Sequence, residues 1–351
     1  MRWYSPLLYP FYLMYTGITS LRNLMFDKGI KKRTEFSVPT LVVGNLNLGG
    51  SGKTPMVEYL IENFRDQFQM ATLSRGYGRK TRGFRLADGV LGPREIGDEP
   101  FQIFSKYGSE IAVAVGEDRV MAIPEIMGIK PETRLVILDD AFQHRYVKAD
   151  FSILLTTFQK PFFDDYVLPL GTLRESASGA SRADLVVVTK TPSDVTAQEK
   201  HAYSSKIKKF TAAKVCFAEM VYGEPYAMDL NVQEKKKKVV LVSGIANDSL
   251  LFEEVNAKYE VVARFNFGDH YFYKAADLTK IRNSVGNGGD VMVLTTEKDA
   301  VKLKNPAFHE YLAEIPIFVL PVKVRMDPDC QMWLKRKVED IVAEKYRHSE
   351  I

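Results

Sequence analysis

The sequence predicts an α/β protein built as two domains, and three observations predict it. Short apolar, β-rich runs alternate with helical patterns, which argues for a parallel sheet covered by helices on both faces. One of these runs enters a glycine-rich loop that closes in Gly52-Lys53-Thr54 at the start of a helical pattern. A polar, lysine-rich stretch ending at residue 238 divides the strands into two series.

The first series covers residues 40–44, 70–74, 111–115, 135–139, 151–155 and 185–189. The second covers 239–243, 261–265, 291–295 and 317–320. Between them, residues 222–238 contain Gly223, Pro225, Gln233, Glu234 and four consecutive lysines, and read as a connector. A boundary within 213–237 gives an N-terminal domain, 1–213, and a smaller C-terminal α/β domain, 214–351, that includes the linker. A chain of 351 residues is long enough for both. The cleft between two such domains is the expected place for a substrate.

The net charge of +4 is unevenly spread. Arg2, Arg22, Lys28, Lys31, Lys32 and Arg33 face only Asp27 within the first 33 residues. That end is also apolar: no charge occurs from Trp3 to Leu21, where Tyr4, Leu7, Leu8, Tyr9, Phe11, Tyr12, Leu13, Met14 and Tyr15 crowd together. A spanning helix needs about 20 apolar residues, and Pro6, Pro10 and Gly17 make this a poor one. No small-x-small cleavage site follows it, so a signal peptide is not expected. Aromatic residues with a basic flank fit a segment lying in the membrane interface; the alternative is a helix packed on its own domain. Cys216 and Cys330 lie far apart without a C-x-x-C spacing. Neither a disulfide nor a thiolate metal site is expected, as suits a reducing compartment. No nucleic-acid partner is expected, and no protein partner can be inferred.

The strand 40–44 runs into Asn45-Leu46-Asn47-Leu48-Gly49-Gly50-Ser51-Gly52-Lys53-Thr54. Small residues let backbone N–H groups close on phosphate oxygens, and the helix N-terminus adds partial positive charge. Lys53 is expected to reach the outer phosphates and the Thr54 hydroxyl to hold Mg²⁺. The first glycine of G-x-x-x-x-G-K-[ST] falls at Asn47. The expected nucleotide cradle is therefore Asn47, Gly49, Gly50, Ser51, Gly52, Lys53 and Thr54, and the first domain reads as a P-loop NTPase-like α/β/α unit.

Residues 135–140 form an apolar strand ending in Asp139-Asp140, where phosphate-loop enzymes place an aspartate that helps hold Mg²⁺. A plain strand-ending turn is the alternative. Arg75, Arg79 and Arg145 follow strand ends, where α/β folds place ligands; they either complement a polyanionic substrate or are simply solvated. Asp98 and Glu99, in Gly97-Asp98-Glu99-Pro100, read as helix-capping acids or as a base and metal ligand. In Thr189-Lys190-Thr191-Pro192, Pro192 stands where the guanine-reading aspartate of Asn-Lys-x-Asp would be. That argues against a GTPase and leaves adenine. Asp269-His270-Tyr271 in the second domain offers a proton-handling pair if geometry permits.

Together these segments resemble the bacterial tetraacyldisaccharide 4′-kinase family, from the N-terminal apolar helix to about Lys302. Matching blocks are Val43-Gly44-Asn45-Leu46, Gly49 to Pro55, Ser74-Arg75-Gly76-Tyr77-Gly78, Gly97 to Pro100 and Asp139 to Arg145. Later blocks are Leu168 to Glu175, Gly244-Ile245-Ala246-Asn247, Asp269-His270 and Thr296 to Ala300. The resemblance implies two α/β domains joined by a strand linker, with ATP and Mg²⁺ in the first. It implies phosphoryl transfer to the 4′-hydroxyl of a lipid-linked glucosamine disaccharide 1-phosphate in lipid A biosynthesis. The implied place is the cytoplasmic face of the bacterial inner membrane. By resemblance Asp98 is the base, hydrogen-bonded by His270 and helped by Lys53; Thr54, Glu99, Asp139 and Asp140 surround Mg²⁺. Arg75, Tyr77, Arg79, Gln143, His144, Arg145 and Arg174 fall to the substrate. Ala141 stands where the family usually has glycine, and Thr172 and Asp248 where it usually has proline. The alternatives are a soluble P-loop ATPase or small-molecule kinase, and a nucleotide-binding regulatory module without chemistry.

Overall fold

The computed structural model describes residues 5–229, 234–269, 271–286 and 288–347. In chain order its strands are β1 (Thr40–Asn45), β2 (Met70–Ser74), β3 (Arg85–Leu86), β4 (Ala112–Val115), β5 (Leu135–Asp139), β6 (Phe151–Thr157) and β7 (Leu185–Thr189). They continue with β8 (Lys214–Tyr222), β9 (Tyr226–Ala227), β10 (Lys238–Ser243), β11 (Glu260–Asn266), β12 (Val291–Thr296), β13 (Ile317–Leu320) and β14 (Val322–Met326). The helices are α1 (Ser5–Asp27), α2 (Lys53–Phe64), α3 (Pro93–Ile96), α4 (Asp98–Tyr107), α5 (Arg119–Ile129) and α6 (Ala197–Ile207). They end with α7 (Ser249–Lys258), α8 (Ala275–Val285), α9 (Glu297–Leu303), α10 (His309–Leu312) and α11 (Pro328–Arg347). Every strand expected from the sequence is present, its ends shifted by two residues at most.

β1 is buried at all of its positions, as a strand covered on both faces must be. It sits inside a nine-stranded sheet of order β14-β8-β7-β6-β1-β5-β2-β4-β3. The strands from β8 to β4 run parallel; β3 and β14 close the two edges antiparallel. The register sets Val43 opposite Asp139, so the end of β5 lies beside the start of the glycine-rich loop. The second sheet, β11-β10-β12-β13-β9, is parallel except for β9.

The predicted domain boundary changes in one respect. Residues 214–222 and 322–347, expected in the second domain, join the first sheet and its core. β8 pairs with β7, β14 pairs with β8, and Leu334, Val338 and Val342 of α11 share an apolar cluster with Met56, Leu60 and Phe64 of α2. The chain leaves the first domain after β8 and returns at β14. The two crossings lie side by side, with the Gly223 N–H donating to the Pro321 carbonyl at 2.9 Å. The same return overturns the cysteine expectation: Cys216 of β8 and Cys330 of α11, 114 residues apart, form a disulfide.

α1 is held to the first domain along one side. Tyr12 and Tyr15 pack on the core, and the Tyr15 hydroxyl donates to the Arg174 carbonyl at 3.0 Å. Leu7, Phe11, Ile18 and Leu21 on the helix are each more than half exposed. Among the described residues no helix is long and apolar enough to cross a membrane. Trp3 and Tyr4 lie outside the described residues.

Because α11 completes the first core, Leu334→Ala should lower the unfolding free energy by about 2–5 kcal/mol, the usual cost of a buried Leu truncation. Urea unfolding checks this; a change below about 0.5 kcal/mol, ordinary for a surface site, would place α11 outside the core.

Candidate active site

Two close approaches shape the loop after β1. A Cβ on Gly44 would meet the Phe142 backbone nitrogen at 2.9 Å, so only glycine lets the turn after β5 sit against β1. Gly52 caps α2 with φ 83°, the left-handed conformation that glycine adopts without strain. Lys53 then starts the helix. Its Nζ lies 3.5 Å from Asn45 Oδ1 and 3.7 Å from Asp140 Oδ1. The Ser51 N–H donates to the Gly49 carbonyl at 2.9 Å, so in this conformation the loop is closed on itself. The Asn47 side chain braces the loop from behind, donating to Asp165 Oδ2 at 3.0 Å.

At the end of β5 two adjacent carboxylates are treated oppositely. Asp140, with φ 47°, accepts both arms of the Arg174 guanidinium, at 2.9 and 3.2 Å. Burial works to raise its pKa, but Lys53 and Arg174 hold it below the usual carboxylate range. Asp139 is pushed up to about 7, first by burial and then by the negative charges of Glu99 and Asp140. Its Oδ1 is buried without a hydrogen-bond partner among the described residues.

Glu99 arrives from the first turn of α4, next to the buried Asp98. Facing them is α9 of the second domain. Lys298 Nζ lies 3.3 Å from Glu99 and 2.8 Å from Asp269, and Lys302 Nζ lies 3.8 Å from Asp98 and 3.2 Å from Asp299. His270, the expected partner of Asp98, lies outside the described residues. Asp98, Glu99, Asp139, Asp140, Lys53 and Arg174 thus gather at the C-terminal edge of the first sheet, where parallel α/β folds bind ligands.

A family model described as tetraacyldisaccharide-1-P 4′-kinase matches residues 4–339. The chain belongs to that family. A tetraacyldisaccharide 4′-kinase of Cytophaga hutchinsonii is 40% identical over 332 residues, 93% of each chain. One of Flavobacterium johnsoniae is 41% identical over 315 residues, 89% of this chain and 91% of the relative. Among solved structures, LpxK from Aquifex aeolicus in complex with ATP superposes with a TM-score of 0.74 at 29% identity, covering 95% of this chain and 98% of that one.

Measured against the sequence expectations for this kinase-family site, several side chains point elsewhere. Arg145, expected at the substrate, is buried and clamps α1 instead: it pairs with Asp27 and donates to the Asn23 carbonyl at 3.0 Å. Arg79 is turned to Glu117 at 2.6 Å and to the Gly83 carbonyl at 2.7 Å. Gln143 donates to the Asn45 carbonyl at 2.9 Å and to Glu175 at 3.2 Å, tying the turn after β5 to the loop. His144 is held neutral, its pKa lowered to about 4 by burial. Arg75 and Tyr77 stand exposed on the loop after β2. Sequence reasoning missed Arg119, buried beside Asp139 and Asp140 with its pKa lowered to about 10 by burial, and it missed Lys298 and Lys302. Lys298 lies inside the Thr296–Ala300 block but was given no role; nothing local marks Arg119 or Lys302, and only the packing of α5 and α9 does. Asp248, one of the departures, accepts from Ser243 at 2.9 Å and from Arg264 and Asn266 at 2.6 Å each, and so fixes the ends of β10 and β11.

Behind the site, Lys106 of α4 pairs with Glu58 of α2 and, at 2.8 Å, with Glu297 of α9. One lysine serves two buried carboxylates. Burial and the Glu297 charge outweigh Lys106 and push Glu58 up to about 7. A carboxyl whose pKa is higher in the folded state stabilises the fold fully below its unfolded pKa and loses that contribution as pH rises through the folded value. The ligand-free protein should therefore lose stability from about pH 4.5 to 7 through this group, and Glu58→Gln should flatten that part of the profile. Urea midpoints across the window check it; parallel profiles for the two proteins would show that Glu58 titrates normally.

Proposed function

We propose that the protein transfers the γ-phosphoryl group of ATP to the 4′-hydroxyl of a tetraacylated glucosamine disaccharide 1-phosphate, working on a membrane surface. The observation that carries this reading is the convergence on Asp139 of Lys53, at the end of the glycine-rich loop, and Glu99, next to Asp98 at the start of α4, in a chain of this family. The ATP-bound Aquifex relative supports the choice of nucleotide.

The residues present fit a magnesium ion. Among the described residues no group of three or more His, Cys, Asp or Glu is arranged as a metal cage. Mg²⁺ does not need one, since it is usually bound through one or two carboxylates plus substrate phosphates and water. The unpartnered, buried Asp139 Oδ1 is a waiting acceptor in a negative pocket. Asp139, Glu99 and Thr54 would hold the ion; Asp140, committed to Arg174 and Lys53, acts by fixing Lys53. When bound, the ion neutralises charge on the transferring group.

Lys53 does the same from the loop. Asp98 accepts the hydroxyl proton as the sugar oxygen attacks; the new P–O bond forms while the bond to the bridging oxygen of ADP breaks. His270 is assigned to hydrogen-bond Asp98. Arg75 and Tyr77, exposed beside α4, are assigned to the disaccharide. The acylated substrate explains α1: its exposed apolar side chains enter the interface, and the exposed Lys28, Lys32 and Arg33 face anionic headgroups. The place of action is the cytoplasmic face of the inner membrane, with the protein bound peripherally.

Lys53→Ala should cut turnover by about 10²–10³-fold or more with the fold intact, since one preorganised charge-stabilising group is lost. Asp98→Asn should lower kcat by about 10²–10⁴-fold with ATP affinity preserved. Steady-state kinetics with labelled ATP read both; near-normal turnover in either variant removes that residue from its role. For the membrane, Ile18→Glu/Leu21→Glu should release the protein from anionic liposomes in flotation, and continued flotation would refute docking through α1.

A further inference from the structure

Lys190 is unused by the chemistry above, yet its position is the least ordinary of any lysine near the loop. It follows β7 with φ 53°, a left-handed conformation that costs a non-glycine residue about 1 kcal/mol or more. The turn that imposes it is fixed on both sides. The Thr191 hydroxyl donates to the Val188 carbonyl at 2.8 Å and the Thr191 N–H to the Ala218 carbonyl at 3.1 Å. The Thr189 hydroxyl donates to the Ser51 carbonyl at 2.8 Å, stitching the end of β7 to the phosphate loop itself. The result aims the side chain over the loop: Lys190 Nζ lies 3.9 Å from the place a Gly50 Cβ would occupy. It makes no hydrogen bond or ion pair with any described residue, and burial lowers its pKa. A desolvated ammonium without a partner is unfavourable; a ligand on the loop would supply one.

The sheet order says which part of the ligand. Asp139 and Asp140 follow β5, on one side of β1, and α4 brings Asp98 and Glu99 to that same side; Lys190 follows β7, two strands away on the other. A triphosphate laid across the loop with its γ-phosphate at Lys53 and Asp139 directs its nucleoside toward β7. We infer that Lys190 binds the nucleoside end of the triphosphate, its ammonium on the ribose oxygens and its aliphatic stem under the base. Pro192 supplies no acid for reading a base edge, so the contact fixes the nucleotide rather than selecting guanine.

The inference rests on the nucleotide site proposed above, and the test separates the two. Wild-type protein, Lys190→Met, Lys190→Gly and Lys53→Ala are titrated calorimetrically with Mg-ATP and with inorganic tripolyphosphate, which has no nucleoside. Losing one charge-assisted hydrogen bond predicts about tenfold to hundredfold weaker ATP binding in Lys190→Met, with tripolyphosphate affinity unchanged. In turnover the same variant should raise the KM for ATP and leave the KM for the lipid alone. Lys190→Gly suits the left-handed backbone, so it should melt no lower than wild type while losing ATP to the same extent; this excludes misfolding as the cause. Lys53→Ala should weaken both probes. Unchanged ATP affinity in the Lys190 variants, or equal losses for ATP and tripolyphosphate, would overturn the inference. Wild-type protein that binds neither probe would overturn the nucleotide site and this inference together.

Discussion

The contact between α4 and α9 is the constraint on which the site depends. α4 begins with Asp98 and Glu99 and ends near Lys106; α9 presents Glu297, Lys298 and Lys302. Each charge meets its opposite across the domain junction, at 3.8 Å for Lys302–Asp98, 3.3 Å for Lys298–Glu99 and 2.8 Å for Lys106–Glu297. Charges this buried are tolerated only when paired, so the junction fixes one relative placement of the domains in the ligand-free protein. Asp98 and Glu99 are also the groups assigned to the hydroxyl proton and the cation. On the proposed assignment, phosphate and metal would compete with Lys298 of α9 for Glu99. Docking of the second domain and assembly of the catalytic groups become one electrostatic problem.

The parallel sheet gives that problem a direction. All loops at issue leave the C-terminal ends of β1, β2, β5 and β7, and the sheet order sets them in a row. Lys190 stands at one end, the glycine-rich loop and Lys53 in the middle, and the aspartates with α4 at the other. Beyond α4 lies the open loop with Arg75 and Tyr77. The exposed face of α1 belongs to the same domain, tied through Tyr15 to the carbonyl of Arg174, the residue that holds Asp140. α1 is thus linked through Arg174, by a hydrogen bond at each end of that residue, to the carboxylate beside Lys53.

Local signals made most of this legible. β1, β2, β5 and β7 are continuous apolar runs because both faces of the sheet are covered, and the glycine-rich loop has no simpler reading when it joins such a strand to a helix. The discontinuous first domain was not legible. β8 reads as an apolar run broken by Glu219, beside the connector and one strand from the sheet edge, while β14 and α11 reach their sheet only after the whole second domain intervenes. No local pattern encodes that return, and the Cys216–Cys330 disulfide depends on it. Arg145 and Arg79 were read as substrate contacts because a loop arginine carries no mark of its partner; Asp27 and Glu117 are 118 and 38 residues away. Lys302 escaped for the same reason.

The most direct test of the account is the identity of the product. Wild-type protein, Mg-ATP and a tetraacylated glucosamine disaccharide 1-phosphate are incubated in mixed micelles beside the deacylated disaccharide, and products are read by phosphorus NMR and mass spectrometry. The account predicts one added phosphate on the 4′-oxygen of the acylated substrate and much slower transfer to the bare sugar. Release of free phosphate without transfer, or equal transfer to both sugars, would contradict it.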